Sequence, residues 1–203
     1  MNYSDRKIAG TILFVGALQF VFGLNVAEDL YPGYSVSMNY ISDLGANCDV
    51  TCNIVQPSST IFNSSVFLLG VLVLVATFFI FRAFRTKLLS ALLVLAGIGA
   101  MGVGVFSETS LTLHWIFSLI AFLFAGLSAI ASYKIEKTPK NCLSLVLGIL
   151  SLVSLFLFVS GEFLGLGNFL GLGPGGMERL IVYPVMLWAI GLGSYLMHNP
   201  EAS

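Results

Sequence analysis

The chain has 203 residues, 57% of them hydrophobic and 9% charged, with a mean hydropathy of +0.95. Soluble domains carry about 25% charged residues, so this composition excludes a water-soluble surface, and it is far too apolar for a disordered chain. Nine Lys and Arg against ten Asp and Glu leave a formal charge of -1, which excludes a basic nucleic-acid binder and an acidic solvating tail.

A helix needs about 20 apolar residues to cross the hydrocarbon core. Six stretches qualify, at residues 8–27, 61–81, 88–106, 113–132, 142–161 and 180–197, and none contains Lys, Arg, Asp or Glu. They lack the alternation of β-barrel strands. The expected fold class is all-α, a six-transmembrane-helix bundle forming a single domain over residues 1–203.

Arg6 and Lys7 precede the first stretch in the manner of a signal peptide. Asn25-Val26-Ala27-Glu28 lacks the small residue two before Ala27 that cleavage needs, so it reads as a retained span. The connection 28–60 opens with the turn Tyr31-Pro32-Gly33-Tyr34. Residues 36–44 then mix aromatic and polar side chains, as an interfacial segment lying across the bundle mouth would, with Ser42 and Asp43 toward the helix ends. Cys48 and Cys52 share this connection without a flanking His, so a disulfide is expected rather than a zinc site.

The turn 82–87 is short and basic. The third stretch carries Gly97, Gly99, Gly102 and Gly104, with Ala96, Ala100 and Gly104 at four-residue spacing. This small-residue pattern lets backbones approach closely and predicts that the third span is central. The turn 107–112 leads to His114 at the head of the fourth. A basic connection, 133–141, follows the fourth span. Residues 162–179 are Gly-rich and read as irregular backbone packed on protein, with Gly175-Gly176 before a helix N-terminus that favours anions. Pro184 predicts a kink in the last span.

Arg6, Lys7, Arg82, Arg85, Lys87, Lys134, Lys137 and Lys140 fall on one side of these spans and only Arg179 on the other. Basic loops stay in the cytoplasm. The expectation is a multi-pass protein of the cell membrane with both termini cytoplasmic and 28–60, 107–112 and 162–179 outside. Asp5, Glu136 and Glu201 then lie inside, while Glu28, Asp29, Asp43, Asp49, Glu108, Glu162 and Glu178 lie outside. Glu28, Asp29 and Asp49 read as interfacial caps. Arg179 should have an anionic partner, with Glu108, Asp43, Glu178 or a bound anion as candidates, serving either as a structural lock or as a site.

Tyr40-Ile41-Ser42-Asp43-Leu44-Gly45, then Ile61-Phe62-Asn63, then His114-x-Ile116-Phe117-Ser118, then Gly176-Met177-Glu178-Arg179, occur in that order. This series resembles the six-span membrane family catalogued as domain of unknown function 998, over essentially the whole chain. The resemblance implies no reaction. It does direct attention to Asp43, Asn63, His114, Glu178 and Arg179, most of which the charge pattern had already separated.

Asp43, Asn63, Glu108, His114, Glu178 and Arg179 are therefore the candidate ligand-binding residues. The leading expectation is an outward-facing intramembrane pocket for an amphipathic anionic ligand, its acid near Arg179. A lipid answers that description, and so does a porphyrin-like cofactor, a haem taking His114 or Met177 as axial ligand. One alternative is a membrane enzyme using Asp43, Glu108, His114 and Glu178 on a lipid-linked substrate, with a divalent metal as an option. A transporter is the second, disfavoured by spans without charges or breaks. Membrane lipids are the expected partners, and nucleic acid is not.

Overall fold

The computed structural model describes residues 3–48, 51–165 and 171–198; Asp49, residues 166–170 of the Gly-rich stretch and Glu201 lie outside these. The chain forms α1 (Tyr3–Asp29), α2 (Ser58–Phe84), α3 (Lys87–Val105), α4 (Leu111–Ala131), α5 (Lys140–Leu164) and α6 (Gly173–His198). All six are long and apolar enough to cross a membrane. Among the described residues there is no strand, only an isolated bridge between Asn47 and Asn53. Large apolar side chains such as Phe22, Phe78, Phe156 and Leu187 face outward, where lipid rather than water is their natural solvent.

Each helix packs on its neighbours in sequence, and α6 returns to α1, so the six close into a ring. Glycines allow the close approaches. A Cβ at Gly97 or Gly104 would strike α2, and one at Gly99 or Gly102 would strike Ala121 or Phe117 of α4. The small-residue stripe thus serves two interfaces of α3. It does not make α3 the central helix: α6 is 61% buried across its span against 50% for α3. The reason lies in α6 itself, which buries Ile181, Val185, Trp188, Leu192 and Leu196 and meets α1 where Gly193 faces Gly10.

Helix α6 also begins at Gly173, well ahead of the expected position 180. Pro174 sits in the first turn, where its missing N–H costs nothing. Gly175 lies against the backbone of Val36 and Asn39, so this glycine answers a packing demand within a helix. Pro184 lies inside α6 without ending it. One turn earlier the Ser151 hydroxyl of α5 donates to the Ile181 carbonyl at 2.9 Å, one way neighbouring helices support a proline-containing span.

The N-terminal end of α1 and the C-terminal end of α6 share one end of the ring. There Arg6 Nη2 donates to the Tyr195 carbonyl at 3.2 Å, Arg82 pairs with Asp5 at 3.1 Å, and Lys140 Nζ donates to the Gly191 carbonyl at 3.2 Å. This basic end contains a buried polar chain. Trp188 Nε1 donates to Ser132 Oγ at 2.9 Å, and that hydroxyl donates to Glu136 Oε2 at 2.9 Å.

Burial raises the Glu136 carboxyl above its ordinary 4.5, against the opposing hydroxyls of Ser144 and Ser132 and the charge of Lys140. The folded protein therefore holds this proton to a higher pH than the unfolded chain. Its contribution to stability is full below the ordinary value and is lost as pH rises through the raised one. Thermal unfolding in detergent from about pH 4 to 8 should show a decline in the wild type that Glu136→Gln makes shallower. An identical decline in both proteins would refute this role for Glu136.

Candidate functional site

At the opposite, acidic end the connection between α1 and α2 folds over the ring as a strap. Tyr34 N–H closes the Tyr31-Pro32-Gly33-Tyr34 turn onto the Tyr31 carbonyl at 3.2 Å, with Gly33 at φ +79°. Farther along, Ser42–Leu44 forms one 3-10 turn, and Ile41 and Leu44 bury themselves with Phe20, Leu24 and Phe62. Asp43 shapes the strap from within: its Oδ2 accepts from the Asn39 amide at 2.8 Å and from Tyr40 N–H at 3.0 Å. The Tyr40 hydroxyl donates to Glu162 Oε1 at 2.8 Å. Burial, and then that carboxylate, raises the Tyr40 hydroxyl's pKa, so it stays a neutral donor.

Arg179 ties the strap to two helices. Its Nη2 donates to the Glu28 carboxylate of α1 and to Tyr34 Oη at 2.8 Å. Its Nη1 donates to the carbonyls of Val36 at 2.8 Å and Gly175 at 3.0 Å. The guanidinium carbon also lies 5.6 Å from the Tyr34 ring centre. The anionic partner is thus Glu28, which corrects the expectation of Glu108 or Asp43. It also gives Glu28 more than an interfacial role. Desolvated, charge-assisted Arg contacts to several acceptors fix geometry, and here they join α1, α6 and the strap.

Glu108 faces a different part of the strap, where its Oε2 accepts the Cys48 N–H at 3.3 Å. Cys48 is joined to Cys52 by a disulfide. The Asn63 amide donates to the Gly45 carbonyl at 3.4 Å and to Ser59 Oγ at 3.3 Å, pinning the strap to α2. Of the six candidates, Asp43, Asn63, Glu108 and Arg179 therefore engage the strap. Glu178 engages it as well, and with His114 it lines one cavity inside the ring.

Glu178 Oε2 accepts the Ile41 N–H from the strap, and its side chain is buried. His114, also buried, has Nδ1 2.8 Å from the Phe106 carbonyl. A carbonyl only accepts, so Nδ1 carries a proton, and in the neutral ring Nε2 keeps a lone pair, 3.4 Å from Ser118 Oγ. The cavity has a volume of about 100 Å³. Glu178, His114, Ser42 and Ser118 make its polar end, and apolar side chains line it from there to Trp188 near the basic end.

That space is of the same order as an engineered apolar cavity of about 150 Å³ that binds benzene. It is well below the roughly 300–1,000 Å³ of a drug-sized pocket, so a porphyrin ring does not fit. Met177, the other axial candidate, packs with Leu155 and Phe158. Among the described residues no three His, Cys, Asp or Glu side chains gather as a metal-binding group. Sequence reasoning passed over Tyr34, Glu28 and Trp188. An indole in the last span was the available signal for Trp188, because a buried N–H needs a partner.

A family model described as "Protein of unknown function (DUF998)" matches residues 14–195. No curated protein and no solved structure matches the chain. The match reaches all six helices and includes the four polar residues of the cavity, and the chain belongs to this family of membrane proteins of unknown function.

Proposed function

We propose that this multi-pass membrane protein is an intramembrane receptor for a small amphipathic ligand. The apolar part of the ligand lies along the cavity and its head group meets Glu178 and His114. The observation that carries this reading is the polar end itself: the Glu178 carboxyl and the His114 imidazole, each keeping an acceptor atom in its neutral form, close an otherwise apolar chamber. Such an end selects a hydrogen-bond donor, a hydroxyl or an amine. The anionic head expected from Arg179 loses its support, because that guanidinium is already engaged by Glu28, Tyr34 and two carbonyls. Eight cations at the far end favour placing that end in the cytoplasm, which turns the polar end of the cavity outward.

The chain has two tryptophans, and Trp115 is exposed while Trp188 lines the cavity. Trp115→Phe therefore leaves one fluorophore inside it. Para-bromobenzyl alcohol, whose bromine quenches indole at short range, should quench that variant saturably in lipid nanodiscs, and para-bromobenzoate should not. Adding Ala125→Leu, which fills the cavity wall, should abolish the saturable part. Quenching that only follows partition into lipid, unchanged by Ala125→Leu, would refute the pocket. Stronger quenching by the benzoate would restore the anionic head.

A further inference from the structure

A second concavity of about 500 Å³ lies on the outside of the bundle at the basic end. Leu88 and Leu92 of α3, Leu127 and Ile130 of α4 and Leu145 of α5 form its apolar walls, and Tyr133 and Lys134 stand at its mouth. Leu88 is 60% exposed, so the groove opens to the surroundings of the bundle rather than into the ring. We infer that this groove is a binding site for an anionic phospholipid, one acyl chain lying against the leucines and the phosphate meeting Lys134.

Three observations converge on that occupant. The walls are wholly aliphatic: Leu88 and Leu92 lie one turn apart at the start of α3, Leu127 and Ile130 lie about one turn apart at the neighbouring end of α4, and Leu145 of α5 joins them, which suits the methylenes of a hydrocarbon chain. The mouth carries a cation and a phenol at the level where helices leave the membrane. Tyr and Lys at that depth bring an apolar body and a polar tip. Lys134 is exposed and makes no ion pair with any described residue, and Lys87 immediately precedes Leu88 in the sequence. A neutral lipid would fit the walls equally well. Charge complementarity at the mouth is what selects the anionic one, and basic pockets between spans on the cytoplasmic side bind anionic head groups by this means.

The test compares variants in nanodiscs of phosphatidylcholine containing a minority of phosphatidylglycerol, with the lipids retained by the protein counted by native mass spectrometry. A single Lys near an anionic surface contributes roughly a fivefold preference, so Lys134→Gln should lower retained phosphatidylglycerol about fivefold and leave phosphatidylcholine unchanged. Arg85→Gln removes the same charge from the same end, but that guanidinium lies over the Phe81 ring; it should retain lipid as the wild type does. Ile130→Trp, which fills the groove, should lower retention of both lipids. Equal losses in Lys134→Gln and Arg85→Gln would mean diffuse attraction and overturn the site, as would no loss in Lys134→Gln.

Discussion

Arg179→Met is expected to destabilise the protein by about 3–5 kcal/mol, the usual result of stripping one partner from a buried ion pair. Glu28 would then be left as a carboxylate held beside Tyr34 with no cation to meet it. Glu28→Leu alone should cost a similar amount, because a buried guanidinium is then uncompensated. The combination Glu28→Leu with Arg179→Met leaves neither charge and should recover most of the loss. Recovery stays incomplete because the carbonyls of Val36 and Gly175 still lack the donors that Nη1 supplies. Chemical or thermal unfolding of the four proteins in detergent forms the cycle. Losses that simply add in the double variant would show that the two residues do not act as a pair.

Gly175→Ala should destabilise by about 1–3 kcal/mol through overpacking, whereas Gly176→Ala should stay within about 0.5 kcal/mol. The two glycines are adjacent in the first turns of α6 but face different neighbours. A Cβ on Gly175 would strike the carbonyl oxygens of Asn39 and Val36, backbone atoms that cannot rotate aside. The strap would have to lift, loosening Arg179 from Val36 and Ile41 N–H from Glu178. A Cβ on Gly176 meets only the Leu172 side chain at 3.2 Å. Unfolding midpoints of the two variants decide the matter, and equal midpoints would show that the strap does not bear on α6 as described.

The spans were legible because charge stops at the membrane: each of the six α-helices covers one of the six uncharged stretches to within one residue. The beginning of α6 was not, since a run of glycines and a proline signals a turn unless one knows that another segment lies flat against it. The candidate site was legible in part. His114 and Glu178 stood out as polar groups at helix ends, and both reach the cavity. Arg179 was correctly seen to need an anion, but its choice among the seven acids expected on its side depends on how the strap folds, and Glu28 is brought to it across 151 positions of sequence. Composition carries no information about that fold-back. Asp43 and Asn63 were singled out by the family motifs, and the structure gives those motifs a use as strap fasteners. The Trp188–Ser132–Glu136 chain escaped notice because Trp188 reaches the Ser132–Glu136 pair from another helix, 56 positions away.

The decisive measurement for an intramembrane pocket is the anomalous scattering of bromine from crystals of the protein grown with para-bromobenzyl alcohol. The hydroxyl should lie within hydrogen-bond distance of Glu178 or His114 Nε2, and one strong bromine peak should fall inside the ring, between those groups and Trp188. Bromine found only on the lipid-facing surface, with the chamber between α4 and α6 empty at saturating alcohol, would contradict the proposed function.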